Sequence, residues 1–201
     1  DLLGGELNLG LFGYTPSGTV GSPSGRGSSQ DVKDDLGWKE DANLIAKLYI
    51  EQPVPMIPNL KLGYTNLTYD TSYELDMTDV TLYYQLIDTV ADVDFGITAR
   101  NLSGKIYSAE NIDKWKPMLY GKAGIGLPMS GLGMQFELGY NISDDNDVIY
   151  DMEFGVRYTF AMGMGAEVGY RSFHLETDDL KENFKTNLDF QGLFANFVLD
   201  F

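Results

Sequence analysis

Apolar and polar residues alternate along most of this chain. A period of two is the signature of strands with unlike faces. Counting back by twos from Phe201 gives Leu199, Phe197, Ala195 and Leu193, an unbroken apolar face. Asp200, Val198, Asn196, Phe194 and Gly192 form the other, mixed face. The same alternation predicts ten strands, near 5–14, 42–51, 59–69, 76–87, 91–102, 116–127, 132–142, 148–160, 163–175 and 187–201. Each is close to or above the roughly 9–11 residues that a tilted strand needs to cross a bilayer.

The connections sharpen this picture. Gln52 to Pro58, Asp88 to Val90, Pro128 to Gly131 and Ala161–Met162 are short or rich in Pro and Gly. The segments 15–41, 70–75, 103–115, 143–147 and 176–186 are longer or more polar. Long and short alternate strictly, long first. An up-and-down transmembrane barrel with both termini in the periplasm predicts that order, with short periplasmic turns and long outer loops. The expected fold is therefore all-β, one antiparallel transmembrane barrel of about ten strands spanning 1–201. Its apolar face looks out at lipid and its polar face looks inward.

The faces agree with that expectation. Leu7, Leu9 and Leu11, Leu82, Tyr84 and Leu86, and Phe154, Val156 and Tyr158 exemplify the lipid side, which carries no charge. Aromatics fall near its ends: Tyr64, Tyr140, Tyr150 and Tyr170 toward the outer interface, and Tyr84, Tyr158, Phe160 and Phe201 toward the inner one. Tyr suits that level because its ring is apolar and its hydroxyl stays wet. The opposite face holds Lys47, Lys61, Asp79, Asp94, Arg100, Lys122, Glu137, Asp151, Glu153, Arg157, Glu167 and Arg171, together with Glu6, Glu51, Asp92 and Asp200.

Composition changes the picture in three ways. Mean hydropathy is −0.18, so no run reads as a transmembrane helix; a barrel escapes that test because only alternate residues need be apolar. There is no Cys, which excludes disulfides and thiol-bound metals. A net charge of −16 argues against nucleic acid as a partner, because phosphate contacts need clustered Lys and Arg. The chain opens at Asp1 directly before a predicted strand, as a processed mature protein would.

Several stretches resemble a known family. They are Glu51 to Asn59, Thr78 to Asp88, Asp94 to Asn101, Pro117 to Tyr120, Gly165 to Arg171 and Glu176 to Leu180. The family is a group of small Gram-negative outer-membrane β-barrel proteins of unassigned function. The resemblance runs from about residue 40 to the end. It implies fold and location, and brings no catalytic or binding residues with it.

Candidate chemistry is sparse. The inner charges imply either a polar lumen that passes ions or small solutes, with a preference for cations, or a ladder of ion pairs that fills the barrel. Barrels of eight strands are filled by their own side chains, and ten lie near that end of the range. Among the loop acids, Asp144, Asp145 and Asp147 are oxygen donors that suit a hard cation, but they lack the spacing of a calcium loop. No cofactor is expected. His174, the only His, lies near Asp178 and Asp179, where a rim hydrolase would hold an activated water; by parity, however, it falls on the lipid-side face just above the membrane, and no nucleophile motif accompanies it. The segment 18–29 has linker composition, and Trp38 and Trp115 flank loop regions where they would anchor a sugar or a partner or, more often, sit at the membrane interface or pack one loop on another.

Three functions remain open from sequence: a narrow pore, a non-conducting structural or surface-interaction barrel, and an enzyme, the last disfavoured. Expected partners are outer-membrane lipid and lipopolysaccharide, and the barrel-assembly machinery through the C-terminal strand.

Overall fold

Ten long strands close on themselves in a computed structural model that describes residues 4–21, 29–54, 56–107, 109–143, 147–181 and 184–201. They are β1 (Gly4–Val20), β3 (Asp41–Glu51), β4 (Asn59–Tyr69), β5 (Tyr73–Asp88), β6 (Ala91–Ile106), β7 (Ala109–Gly126), β8 (Leu132–Asn141), β9 (Val148–Ala161), β10 (Met164–Lys181) and β11 (Phe184–Asp200). A two-residue strand, β2 (Gln30–Asp31), pairs with the end of β1. Every long strand is antiparallel to its sequence neighbour, and β1 also pairs with β11, which leaves no open edge. No helix is present among the described residues.

The registers fix the stagger of the barrel. From Gly10, one path runs through Ile45, Thr65, Met77 and Leu102 to Lys114 on β7. The other runs through Asn196, Glu167, Arg157 and Gly133 to Gly126 on the same strand. The two ends lie twelve residues apart, from 114 to 126. A stagger of twelve over ten strands tilts each strand by about 40° from the barrel axis.

The chain turns tightly at one end. Met162 and Gly163 both have positive φ, 46° and 74°, the pattern of a type I′ turn whose twist matches the flanking strands. Phe201 lies at this same end and exchanges backbone hydrogen bonds with Gly5, each 2.8 Å.

The strands are longer than the alternation of apolar residues predicts, and all at the opposite end. β1 continues to Val20, β5 begins at Tyr73, β6 and β7 continue to Ile106 and back from Ala109, and β10 and β11 extend through most of 176–186. Most of the predicted loops 70–75, 103–115 and 176–186 is thus strand. The physical reason is an inversion of polarity along each strand. On β10 the outer face runs Val168, Tyr170 and then His174, Glu176, Asp178, while the inner face runs Glu167, Arg171 and then Phe173, Leu175. On β11 the outer face passes from Phe197 and Leu193 to Gln191, Asn187 and Lys185, and the inner face from Asn196 to Phe194, Phe190 and Leu188. The period of two persists, but the apolar face changes sides.

That inner apolar set forms one buried core. Phe12, Tyr14, Ile45, Tyr73, Leu75, Phe173, Phe190 and Phe194 belong to it. Tyr73 meets Phe190 edge-on at 5.7 Å, and Phe173 stacks on Phe190 at 6.1 Å. Residues 29–40 of the first long connection close over it. Asp31 accepts hydrogen bonds from the Lys33 and Asp34 amides, each 2.9 Å, which tightens the turn so that Val32 and Trp38 fold inward. Trp38 is 4% exposed and packs on Tyr73 at 4.6 Å, so it is a core residue and not an exposed anchor. Within the predicted linker 18–29, residues 18–20 are strand and 22–28 lie outside the described residues.

Candidate functional site

The interior is built in tiers, because alternate residues on each strand point inward and the tilt brings charges from three or four strands to one level. Twelve of the sixteen charges assigned to the inner face, Lys47 to Arg171, lie on this face, with Glu6, Glu51 and Asp92 beside them at the mouth. At the short-turn mouth, Arg157 (β9) forks onto Glu6 (β1) at 2.6 and 2.7 Å. It also donates to Glu167 (β10) at 2.9 Å, and Gln135 donates to the same carboxylate at 2.8 Å.

The next tier holds Lys47 (β3) and Lys61 (β4). Lys47 donates to Glu153 at 2.5 Å and lies 3.4 Å from Glu137. Lys61 pairs with Glu137 and sits 4.7 Å from the centre of the Tyr120 ring. The Tyr49 hydroxyl donates to Glu137 at 2.9 Å. Tyr49, Tyr83 and Tyr120 form a small buried aromatic cluster at this level, which reading for charge alone did not find.

Above it, Arg171 forks onto Asp151 at 2.9 and 2.7 Å and donates to the Thr65 hydroxyl at 2.9 Å. Arg100 forks onto Asp79 at 2.7 and 2.6 Å and reaches Asp151 at 2.8 Å. These two guanidinium groups face the apolar core: Arg100 lies 5.5 Å from the Phe173 ring centre and Arg171 5.3 Å from that of Phe12. Bidentate pairing fixes the planar groups in place, and their flat faces cover aromatic rings without exposing a donor to them.

Little space remains between these tiers. Two cavities of about 20 Å³ each lie among Lys61, Asp79, Arg100, Glu137, Asp151 and Glu153, which is room for about one water apiece. A larger vestibule of about 540 Å³ opens at the short-turn mouth. Asp94 and Lys122 line it, and the Lys122 ammonium rests 4.9 Å from the Tyr49 ring centre.

The outer wall has the complementary form. Leu9, Leu82, Phe95, Val156 and Phe197 are exposed. Tyr64, Tyr84, Tyr140, Tyr158, Tyr170 and Phe201 are exposed on the same wall, and Tyr150 is half-buried there. Tyr150 and Tyr158 lie eight residues apart on one strand. That separation is about 20 Å along the barrel axis at this tilt, close to the roughly 25 Å apolar band of membrane barrels. Trp115, 59% exposed on the outside of β7, joins the outer ring of aromatics.

The chain is built as a transmembrane β-barrel of the outer-membrane kind. No family model matches it, and no curated protein matches it. Among solved structures, it is similar to an outer-membrane channel from Pseudomonas putida F1, at 13% identity and a TM-score of 0.42, covering 98% of this chain and 96% of that one. It is also similar to Ail, the attachment invasion locus protein of Yersinia pestis, at 8% identity and a TM-score of 0.24, covering 98% of both chains. The fold assignment rests on strand pairing and on the two faces of the wall, to which likenesses of that size add nothing.

The remaining candidates separate. His174 lies on the outer wall and not at a lumen rim. Its Nδ1 is 2.9 Å from Asp189 Oδ1, its Nε2 is 3.7 Å from Glu176, and its ring stacks on Tyr150 at 4.9 Å. Its carboxylate partner is thus Asp189, supplied across the β10–β11 ladder, and not the nearby Asp178. Asp147, a candidate metal ligand, is paired at 2.5 Å with Lys116. Asp144 and Asp145 lie outside the described residues. No group of three or more metal-binding side chains occurs among the described residues. Lys116 is an inner charge that the sequence reading passed over; it shares parity with Met118, Tyr120 and Lys122, and that parity was the signal available.

Proposed function

We propose that this chain is a closed, non-conducting barrel of the bacterial outer membrane. Its long hairpins face the outside and its short turns face the periplasm. It works as a structural and surface-interaction protein: lipid and lipopolysaccharide surround its apolar band, and the polar-walled upper barrel stands clear of the membrane as a rigid platform. Strand β11 engages the assembly machinery during insertion. The filled interior carries this reading. Three tiers of paired charges and an aromatic core occupy the path from the mouth to the outer end.

Planar-bilayer recording in asymmetric KCl tests it, with folding verified by a heat-modifiable gel shift. The folded protein is expected to leave the bilayer silent. The alternative is a narrow pore with weak cation preference, and the acidic vestibule is the observation that favours it. Discrete cation-selective steps that disappear in a variant such as Glu137→Gln would support the pore and overturn the closed barrel. Hydrolysis by His174 is a third reading. It predicts activity on lipid or peptide substrates that is lost in His174→Ala, and purified protein without such activity removes it.

A further inference from the structure

The vestibule at the short-turn mouth differs from the tiers above it. Inside, carboxylates are matched to Arg and Lys. At the mouth, Glu51 on β3, Asp88 on β5 and Asp92 and Asp94 on β6 gather, and none of the four carries an ion pair among the described residues. Asp88 and Asp92 are directly opposite each other across the β5–β6 ladder, an arrangement of like charges that costs stability unless something cationic lies nearby. Two cations line this mouth: Arg157 is taken up by Glu6 and Glu167, which leaves Lys122, opposite Asp94 across the β6–β7 ladder and resting on the Tyr49 ring, as the one ammonium facing these four carboxylates among the described residues.

Asp94 is the second observation. Its side chain lines the vestibule and is only 4% exposed. Its Oδ1 has no hydrogen-bond partner among the described residues. A buried acceptor left unsatisfied carries its whole desolvation cost, and a donor entering the vestibule removes that cost. The adjoining lip, at the end of β7 and the start of β8, is apolar, with Ile125, Leu127, Met129 and Leu132. At about 540 Å³ the space falls within the roughly 300–1,000 Å³ of small-molecule sites.

From this geometry we infer that the vestibule binds an organic polycation, of which a linear polyamine is the simplest. Its ammonium groups meet Asp94 and the Asp88–Asp92 pair, and its methylene spacers lie along Ile125 and Leu127. A bare divalent ion fits less well. It demands several oxygen ligands converging at one point, whereas no such cluster exists among the described residues.

Isothermal titration of spermidine into the detergent-folded protein tests this at about 150 mM salt, where loose surface attraction is largely screened. One site per barrel is expected, with affinity reduced at least tenfold in Asp94→Asn and in Asp92→Asn. Glu74→Gln at the far end should leave affinity unchanged. Asp92 is more exposed than Asp94, so the second variant keeps the test decisive should Asp94→Asn impair folding. No saturable spermidine site, equal loss in Glu74→Gln, or full affinity in Asp92→Asn would overturn the proposal. So would displacement by an equimolar amount of MgCl₂.

Discussion

The lower and upper halves of this barrel share ten continuous strands and one register, yet each solves the burial problem in the opposite way. In the lower half, Leu9, Phe95 and Phe197 face outward while Lys47, Glu137 and Glu153 face inward. In the upper half, Phe12, Phe190 and Leu175 face inward while Asn187, Glu176 and Asp189 face outward. The difference follows from solvent alone. Lipid tails replace water around the lower wall, so apolar groups belong outside and every inner charge needs a partner. Water surrounds the upper wall, so the usual hydrophobic core returns. The boundary is marked inside by the Arg100 and Arg171 guanidiniums lying on Phe173 and Phe12.

The largest expected effect tests the upper half. Phe190→Ala opens a void among Tyr14, Tyr73 and Phe173 and should cost about 3–5 kcal/mol, read as a lowered midpoint in urea unfolding from detergent or lipid. In the lower interior, Arg171→Met leaves Asp151 and Glu153 without one of their cations. Breaking such a buried pair costs about 3–5 kcal/mol, and the adjacent Arg100 should hold the loss near the lower figure. A double-mutant cycle with Asp151→Asn measures that coupling.

The wall gives the sharpest contrast. Val156→Arg, on the lipid face, should cost about 2–4 kcal/mol and impair insertion. Asn187→Arg lies on the same outer wall above the band, and should change stability by no more than about 0.5 kcal/mol. Equal costs at the two positions would erase the boundary drawn here. The smallest effect concerns the first outer turn. The Asp34 and Lys33 amides hold the Asp31 carboxyl below its ordinary value of 3.8. A lowered folded-state value contributes stability that is present above the ordinary value and lost as pH falls through the folded one. The Lys33 and Asp34 amide resonances should therefore shift only in strong acid, and Asp31→Ala should abolish that transition.

The membrane half was legible because it obeys one rule throughout. Strand β9 alternates Met152, Phe154 and Val156 against Asp151, Glu153 and Arg157 without a break. Parity put the twelve charges on one face of their strands, but parity alone did not say whether that face was the inner one. The upper half was not legible because the same rule reverses there. Residues such as Glu176, Asp178 and Lys185 read as loop once the outer apolar stripe ends, although Leu175, Thr177 and Phe184 continue the buried inner face. Trp38 could not be placed from its neighbours, since its burial depends on Tyr73, which is distant in sequence. The vestibule was equally hidden. Asp94 and Lys122 were known to face inward, but only the packed interior shows which charges are already matched.

The absence of cysteine permits a direct test of the inversion. Single cysteines at the outward positions of β11 should be probed with a membrane-impermeant maleimide in proteoliposomes. The account predicts labelling in Lys185→Cys, Asn187→Cys, Asp189→Cys and Gln191→Cys, and protection in Leu193→Cys, Ala195→Cys and Phe197→Cys, with the change between Gln191 and Leu193. Labelling that continues evenly through Ala195 and Phe197, or protection that extends up to Asn187, would contradict it.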